Sequence, residues 1–327
     1  MKRLLIHHVD LDGLGILVLE RVYHDKLGFD FTVALDYDFE NNPETTALIE
    51  SFDEIVIADL SSSQEYFLRL TRDLKKKVTV YDHHASSAYL DDYRGNIHDE
   101  SRCGTRIFFE EYVVPRVKRL PQVAYDFVDR VDTYDRWQIE SSIWEEALSL
   151  NRVLYGTMDY TRKEVVPSAE PFLRIETRKL RESSEWSWTP TEVQVIDRAV
   201  EAEDKRFFQA KRSLSQRRDK KGNIFGVFSL PGKISIVCSR ILRDEKFEHL
   251  DYVVVVNSYG GINGNISVRS AKGFDCTQLG PVNGHLAAAG GALSPEDAEL
   301  FLKDPARCLS YKEDQDWIDN QISVISS

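Results

Sequence analysis

The chain has 327 residues, 42% of them hydrophobic and 29% charged, with a formal net charge of −12. That length can bury a large core and suits two domains. The acidic balance disfavours a long duplex or long single strand as the main partner, because affinity for those comes from Lys and Arg on phosphates. It still permits a small nucleotide in a local pocket that holds metal cations. The cysteines (Cys103, Cys238, Cys276 and Cys308) are scattered without a C-x-x-C pair. Their spacing argues for a reducing compartment and against thiolate zinc or a disulfide framework. Leu4-Leu5-Ile6 is too short for a signal-peptide core, and no apolar run could span a bilayer. A cytoplasmic protein with no membrane partner is the expectation.

In chain order, residues 3–8 read as a strand, followed by a loop rich in Asp and Gly and a helix from about Leu14 to Lys26. Phe31 to Leu35 is a second strand and Pro43 to Ser51 a short helix. Glu54 to Ala58 is a third strand ending in Asp59, and Ser61 to Ser63 can cap a helix from Gln64 to Lys76. Lys77 to Tyr81 completes four βα units, the pattern of a doubly wound, mainly parallel sheet. Helical segments follow near 101–114, 121–134 and 143–154. From about Tyr160 to Pro190 the periodicity weakens, which reads as an irregular connection or insertion. Thr191 to Arg218 reads as one long charged helix closed by a C-cap glycine, Gly222. Beyond it, strands at 224–230, 252–257 and 264–269 and helices at 234–242 and 295–303 indicate a smaller α+β domain. The expected division is a metal-binding α/β domain over 1–155, an insertion and linker helix over 156–222, and a substrate-binding α+β domain over 223–327.

Three strand ends of the first domain carry ligand-type residues: His7-His8-Val9-Asp10-Leu11-Asp12-Gly13, then Asp59, then Asp82-His83-His84. Strand ends of a parallel sheet lie side by side, so Asp10, Asp12, Asp59 and His83 can converge. Carboxylate and imidazole donors without sulfur suit manganese or a similar divalent ion. So many carboxylates would repel one another in an empty site, which favours two cations over one. A further ligand is expected from the run holding Asp126, Asp129, Asp132 and Asp135. On a helix, a spacing of three drifts about 60° per step. One or at most two of the four can therefore belong to a site, and the others are solvated or paired with Arg130 and Arg136. His24, His98 and His249 read as surface or core residues. In the second domain, Gly284-His285 before an Ala-Gly run suits a helix start or turn held tightly against a phosphate, and Arg269 at a strand end could clamp the same group.

Taken together, these segments resemble the DHH phosphoesterase family with its DHH-associated C-terminal domain, as found in the nuclease branch. The matching segments are His8-Val9-Asp10-Leu11-Asp12-Gly13, Asp59, Asp82-His83-His84, Asp132-Thr133, Arg269-Ser270 and Gly284-His285-Leu286-Ala287-Ala288-Ala289-Gly290. The chain departs from the pattern in having Val282-Asn283-Gly284 where the family has a glycine triplet, and Ile6 where many members carry the first-motif His. The resemblance implies one metal held by Asp10, Asp59 and His8 and a second by Asp12, Asp59, His83 and Asp132, with Asp59 bridging. Asp82 would support the histidines or ligate directly, and His84 would contact the scissile phosphate or protonate the leaving oxygen. Arg269, Ser270, Gly284 and His285 would hold a terminal phosphate of the substrate.

The expected activity is hydrolysis of short oligonucleotides, nanoRNA or short single-stranded DNA, to 5′-mononucleotides by two divalent ions, manganese first and magnesium as the alternative. Other readings are a cyclic-dinucleotide phosphodiesterase, a RecJ-like single-strand exonuclease and, from a different class, a catalytically silent nucleotide-binding scaffold. The sequence leaves a homodimer open.

Overall fold

The computed structural model describes all residues except 38, 231–234, 258–263, 271–272, 281, 286–287, 295–299, 301–302, 305–309 and 313–327. The chain divides into two compact units, Met1–Asp197 and Arg198–Ser327.

The first unit is built on strands β1 (Arg3–His7), β2 (Phe31–Ala34), β3 (Glu54–Ala58), β4 (Lys77–Asp82) and β5 (Ile97–His98), all parallel in the order β2-β1-β3-β4-β5. Alternation along the strands explains the two faces. Leu5, Val56, Ala58 and Tyr81 point into one core, built with α1 (Leu11–Leu27) and the helices that follow the sheet. Leu4, Ile6, Ile55, Ile57 and Val80 point into the other, where α2 (Pro43–Glu50) and α3 (Gln64–Leu68) supply Ile49 and Phe67. The chain leaves β1 toward β2 on one side and returns to β3 on the other. A crevice therefore opens at the carboxyl ends of β1 and β3, where open α/β sheets bind ligands.

Four further helices complete this unit: α4 (Gly104–Phe108), α5 (Gln122–Asp135), α6 (Trp144–Thr157) and α7 (Val165–Glu182). The last is a difference from the irregular connection expected there. Ala169, Phe172, Leu173 and Leu180 recur at helical spacing and are buried against the core shared with α1. Pro167 in the first turn and Pro171 further in hide that period from a reading by propensity.

The unit boundary falls inside α8 (Pro190–Ser213), so residues 156–197 pack with the first unit. The long helix expected to reach Arg218 stops at Ser213. Ser215–Arg218 is instead β6, paired antiparallel with β7 (Ile224–Ser229), and Gly222 serves the connecting turn with φ +89°. Arg217 and Arg218 thus lie on an exposed edge strand, where charge discourages pairing with another chain.

The second unit also contains α9 (Ser235–Leu242), β8 (Tyr252–Asn257), β9 (Gly264–Ser270), β10 (Leu279–Gly280), β11 (Asn283–His285), β12 (Ala288–Leu293) and β13 (Ser310–Tyr311). Its main sheet runs β11-β12-β9-β8-β7-β6 and is antiparallel except for β7 and β8. The helix expected over 295–303 falls mostly outside the described residues. Among the described residues no helix is long and apolar enough to cross a membrane.

Candidate metal centre

Each of the central strands hands its last residues to the crevice. Beyond β1, Asp10 caps α1: its Oδ1 accepts from Gly13 N–H at 3.1 Å, while Oδ2 lies 3.2 Å from His8 Nδ1. Capping and the contact with His8 therefore use different oxygens of one carboxylate. The loop closes so tightly that a Cβ on Gly13 would sit 2.1 Å from the His8 carbonyl oxygen, which admits only glycine. Asp12, in the first turn of α1, is buried, and the start of α4 receives both its oxygens. Gly104 N–H donates to Oδ2 at 2.6 Å and Thr105 N–H to Oδ1 at 2.7 Å. These two donors fix the plane of the carboxylate.

Asp59 follows β3 with φ +58°, a left-handed conformation that a non-glycine residue adopts at a cost. Its N–H bonds the Tyr81 carbonyl at 2.9 Å, and Gly104 packs against it so closely that a Cβ there would lie 2.4 Å from the Asp59 Cβ. Asp59 Oδ2 is buried without a hydrogen-bond partner among the described residues. From the end of β4, His83 Nε2 reaches 3.3 Å from Asp59 Oδ1, 3.7 Å from Asp12 Oδ2 and 3.6 Å from Asp135 Oδ2.

These residues form three overlapping donor groups: His8, Asp10 and Asp59; Asp12, His83 and Asp135; and Asp59 with Asp82, His83 and His84. Within each group the ligand atoms lie within 4.8 Å of one another. Asp59 and His83 each belong to two groups. A hard divalent cation is suited by this mixture of carboxylate oxygen and imidazole nitrogen.

The structure does not place Asp132 with them. Asp132 Oδ1 accepts from Cys103 N–H at 2.8 Å, and Oδ2 faces Arg106 Nε at 3.2 Å and Arg136 Nη1 at 3.8 Å. Its side chain therefore ties α5 to the start of α4, and Asp135, one turn further on, is the α5 carboxylate in the donor groups. Asp126 and Asp129 pair with Gln122 and Arg106. Asp82, fully buried, is committed on both oxygens, with Oδ1 2.8 Å from His84 Nδ1 and Oδ2 accepting from the Ser87 hydroxyl. That favours the supporting role for Asp82 over direct ligation. His98, expected on the surface or in the core, bonds the His84 carbonyl from Nε2 at 3.0 Å and steadies the same loop. His7 is fully buried; burial lowers its imidazole pKa to about 4, so it stays neutral beside the site.

The electrostatics follow from crowding. Burial raises the pKa of Asp59 well above the carboxylate range, and the charges of Asp12, Asp10, Asp135 and Asp82 add to it. Asp135 is raised too, by burial and then by Asp12, Asp10 and Asp132. Burial works against ionised Asp10 and Asp82 as well, but the hydrogen bonds and charge of His8 and His84, respectively, outweigh it and lower both. For His8 and His84, burial lowers the pKa, yet the facing carboxylates, Asp10 first for His8 and Asp82 first for His84, raise it overall. The donor set thus fits divalent cations, whose charge relieves this repulsion.

In the second unit, Arg269 uses Nη1 on the Val268 and Ala289 carbonyls at 2.8 and 3.2 Å and Nη2 on Ser235 Oγ at 2.8 Å. Much of its donor capacity is thus spent inside the unit. Ser270 Oγ is buried without a hydrogen-bond partner among the described residues. Gly284-His285 does not begin a helix: it forms β11, paired antiparallel with β12. Ala288, Ala289 and Gly290 serve strand pairing in β12. His285 pairs Ala288, which in turn pairs Arg269, so His285 and Arg269 lie in one row two strands apart, about 10 Å between Cα atoms.

Comparison with known proteins follows the fold. No family model and no curated protein matches the chain. Solved structures do. The DHH domain of a member of a ribosomal protein family is 15% identical at a TM-score of 0.61, over 93% of this chain and 86% of that one. The chain has the DHH fold. A pGpG-specific phosphodiesterase, PggH from Vibrio cholerae, is 14% identical at a TM-score of 0.57, over 94% and 98%. The exonuclease RecJ bound to manganese is 17% identical at a TM-score of 0.51, over 94% and 89%. In this DHH fold the strand-end motifs read from the sequence line the crevice. Asp135 is one of the four helix carboxylates the sequence leaves open, whereas Asp36, Tyr37, Ser87 and the Cys103-Gly104-Thr105 turn are not anticipated there. Asp36 and Tyr37 follow β2, a fourth strand end whose position was the available signal.

Proposed function

We propose that the protein is a metal-dependent phosphodiesterase that cleaves short oligonucleotides to 5′-mononucleotides. The observation that carries this reading is the convergence of His8, Asp10, Asp12, Asp59, His83 and Asp135 on one crevice, with Asp59 and His83 each shared between donor groups. His8, Asp10 and Asp59 would hold one cation and Asp12, Asp59, His83 and Asp135 a second, manganese first. Bound there, divalent cations supply the Lewis acidity and activated water that phosphodiester hydrolysis needs near neutral pH. The start of α4 holds Asp12 in its orientation. Asp82 holds His84 by Nδ1, so Nε2 is the nitrogen that would bond a phosphate or leaving-group oxygen in place of the Tyr37 hydroxyl, which lies 3.0 Å from it. In the second unit Arg269, Ser270, Gly284 and His285 are the proposed phosphate-holding residues.

A short substrate is favoured by the net charge of −12 and by the likeness to a pGpG-specific phosphodiesterase over nearly the whole of both chains. A linear dinucleotide is therefore the first substrate to try. The test is a product-resolved assay with manganese across pGpG, cyclic dinucleotides, and short and long RNA and DNA. Mononucleotide release from the dinucleotide, lost in Asp59→Asn, supports the proposal. Absence of turnover on all of these despite bound manganese refutes it in favour of a silent binding protein.

A further inference from the structure

Tyr37 stands three residues beyond β2, at the edge of the crevice and outside every donor group. Its hydroxyl is 3.0 Å from His84 Nε2, and its ring centroid is 4.6 Å from that of His8. Half of the residue is exposed, at 50%. A surface tyrosine normally buries its ring and leaves its polar tip in water. Here the tip is turned inward onto an imidazole, and hydrophobic burial alone does not explain that arrangement.

The consequence for His84 follows from valence. Asp82 Oδ1, 2.8 Å from Nδ1, accepts a hydrogen bond, which places a proton on Nδ1. In the neutral ring Nε2 is then an acceptor, and the Tyr37 hydroxyl donates to it. An imidazole held at one nitrogen can still swing about its ring bond, whereas one held from both sides keeps a single direction. The ring of Tyr37 also closes one side of His8, which Asp10 and Asp36 flank at 3.2 and 3.7 Å. Tyr37 thus touches both the first-motif histidine and the last histidine of the Asp82-His83-His84 triplet.

We propose that Tyr37 is a positioning residue for the hydrolysis, holding the His84 imidazole in one direction through its hydroxyl until a phosphate or leaving-group oxygen replaces that hydroxyl at Nε2. The inference rests on the phosphodiesterase reading above. The test compares wild type with Tyr37→Phe and Tyr37→Leu by steady-state kinetics on pGpG with manganese, together with the imidazole ¹⁵N resonances of His84 in the metal-free protein. Loss of one hydrogen bond predicts a kcat about tenfold lower in Tyr37→Phe, with KM within about twofold. The Nε2 resonance should move, and the thermal midpoint should stay unchanged because the residue lies at the surface. Tyr37→Leu, which loses the ring wall as well, should fall further. Wild-type turnover with undiminished kcat in Tyr37→Phe, or an unmoved Nε2 resonance, overturns the positioning role alone. A wild-type protein that turns over no nucleotide overturns the phosphodiesterase reading and this role with it.

Discussion

Asp132 and Asp135 are one helical turn apart on α5, and exchanging each for asparagine should move stability in opposite directions. Asp132 accepts the Cys103 N–H and faces Arg106 and Arg136. Asparagine keeps the acceptor but loses the charge. Hydrogen bonds to charged groups contribute about 1.5–3 kcal/mol, so Asp132→Asn should lower the thermal midpoint by roughly 3–12 °C at about 2–4 °C per kcal/mol for a unit of this size. Asp135 has the opposite environment, for burial and the charges of Asp12, Asp10 and Asp132 oppose its ionisation. Each pH unit of such displacement corresponds to about 1.4 kcal/mol. Asp135→Asn should therefore raise the melting temperature of the metal-free protein by a few degrees. The same change removes a donor from the group with Asp12 and His83, and manganese affinity should fall by more than the roughly 10–100-fold typical of an outer-shell partner. Calorimetric manganese titration and thermal unfolding in chelator separate the two residues. Abolished manganese binding in Asp132→Asn, with unchanged binding in Asp135→Asn, would refute this assignment.

Gly104→Ala places a methyl 2.4 Å from Asp59 Cβ and 2.7 Å from its Cα. Overpacking of that kind costs about 1–3 kcal/mol and pushes the start of α4 off Asp12, so both the unfolding midpoint in urea and manganese affinity should drop. Glu176 on α7 is fully buried against Lys179 at 3.2 Å, and Lys179 also reaches Glu192 at 2.7 Å, with Trp186 and Trp188 packed on its ammonium. Burial, followed by the nearby Glu192, raises the Glu176 pKa from 4.5 to about 8 in spite of Lys179. The folded state thus holds a proton that the unfolded state releases above 4.5. Stability is lost as pH rises from 4.5 toward 8. Glu176→Gln, which mimics the protonated acid, should match wild type near pH 4 and exceed it by about 1–3 kcal/mol at pH 8. Denaturant titrations at the two pH values check this, and an equal effect at both refutes it.

Most of the crevice was legible in the sequence because most of its ligand-type residues stand at strand ends, and a βα repeat announces where strands stop. Asp10, Asp12, Asp59 and His83 needed only a parallel sheet to meet. Asp135 could not be chosen over Asp132 from spacing, since a period of three spreads carboxylates around the helix; the choice depends on the tertiary contact of Cys103 N–H with Asp132. The Gly104-Thr105 turn carries no titratable side chain, so nothing in its residue types announced that its backbone would hold Asp12. Residues 165–182 hid a helix behind two prolines, and 215–218 read as helix because charges mask the alternation of a short edge strand.

The features that make this crevice costly are those that make it suitable for cations. Asp59 takes a left-handed backbone, leaves one oxygen unpaired among the described residues, and lies buried among Asp12, Asp10, Asp135 and Asp82. A fold selected for stability alone would replace one of these acids by an amide. Their joint presence, with Gly13 and Gly104 placed so that the backbone can close around them, suits a divalent cation, which would recover the repulsion energy. On that argument manganese should raise the melting temperature of the wild-type chain, and the rise should shrink in Asp59→Asn, whose repulsion is already relieved and whose shared oxygen donors are halved. A melting temperature indifferent to manganese in the wild-type chain would remove the physical basis for a metal centre here, whatever the fold resembles.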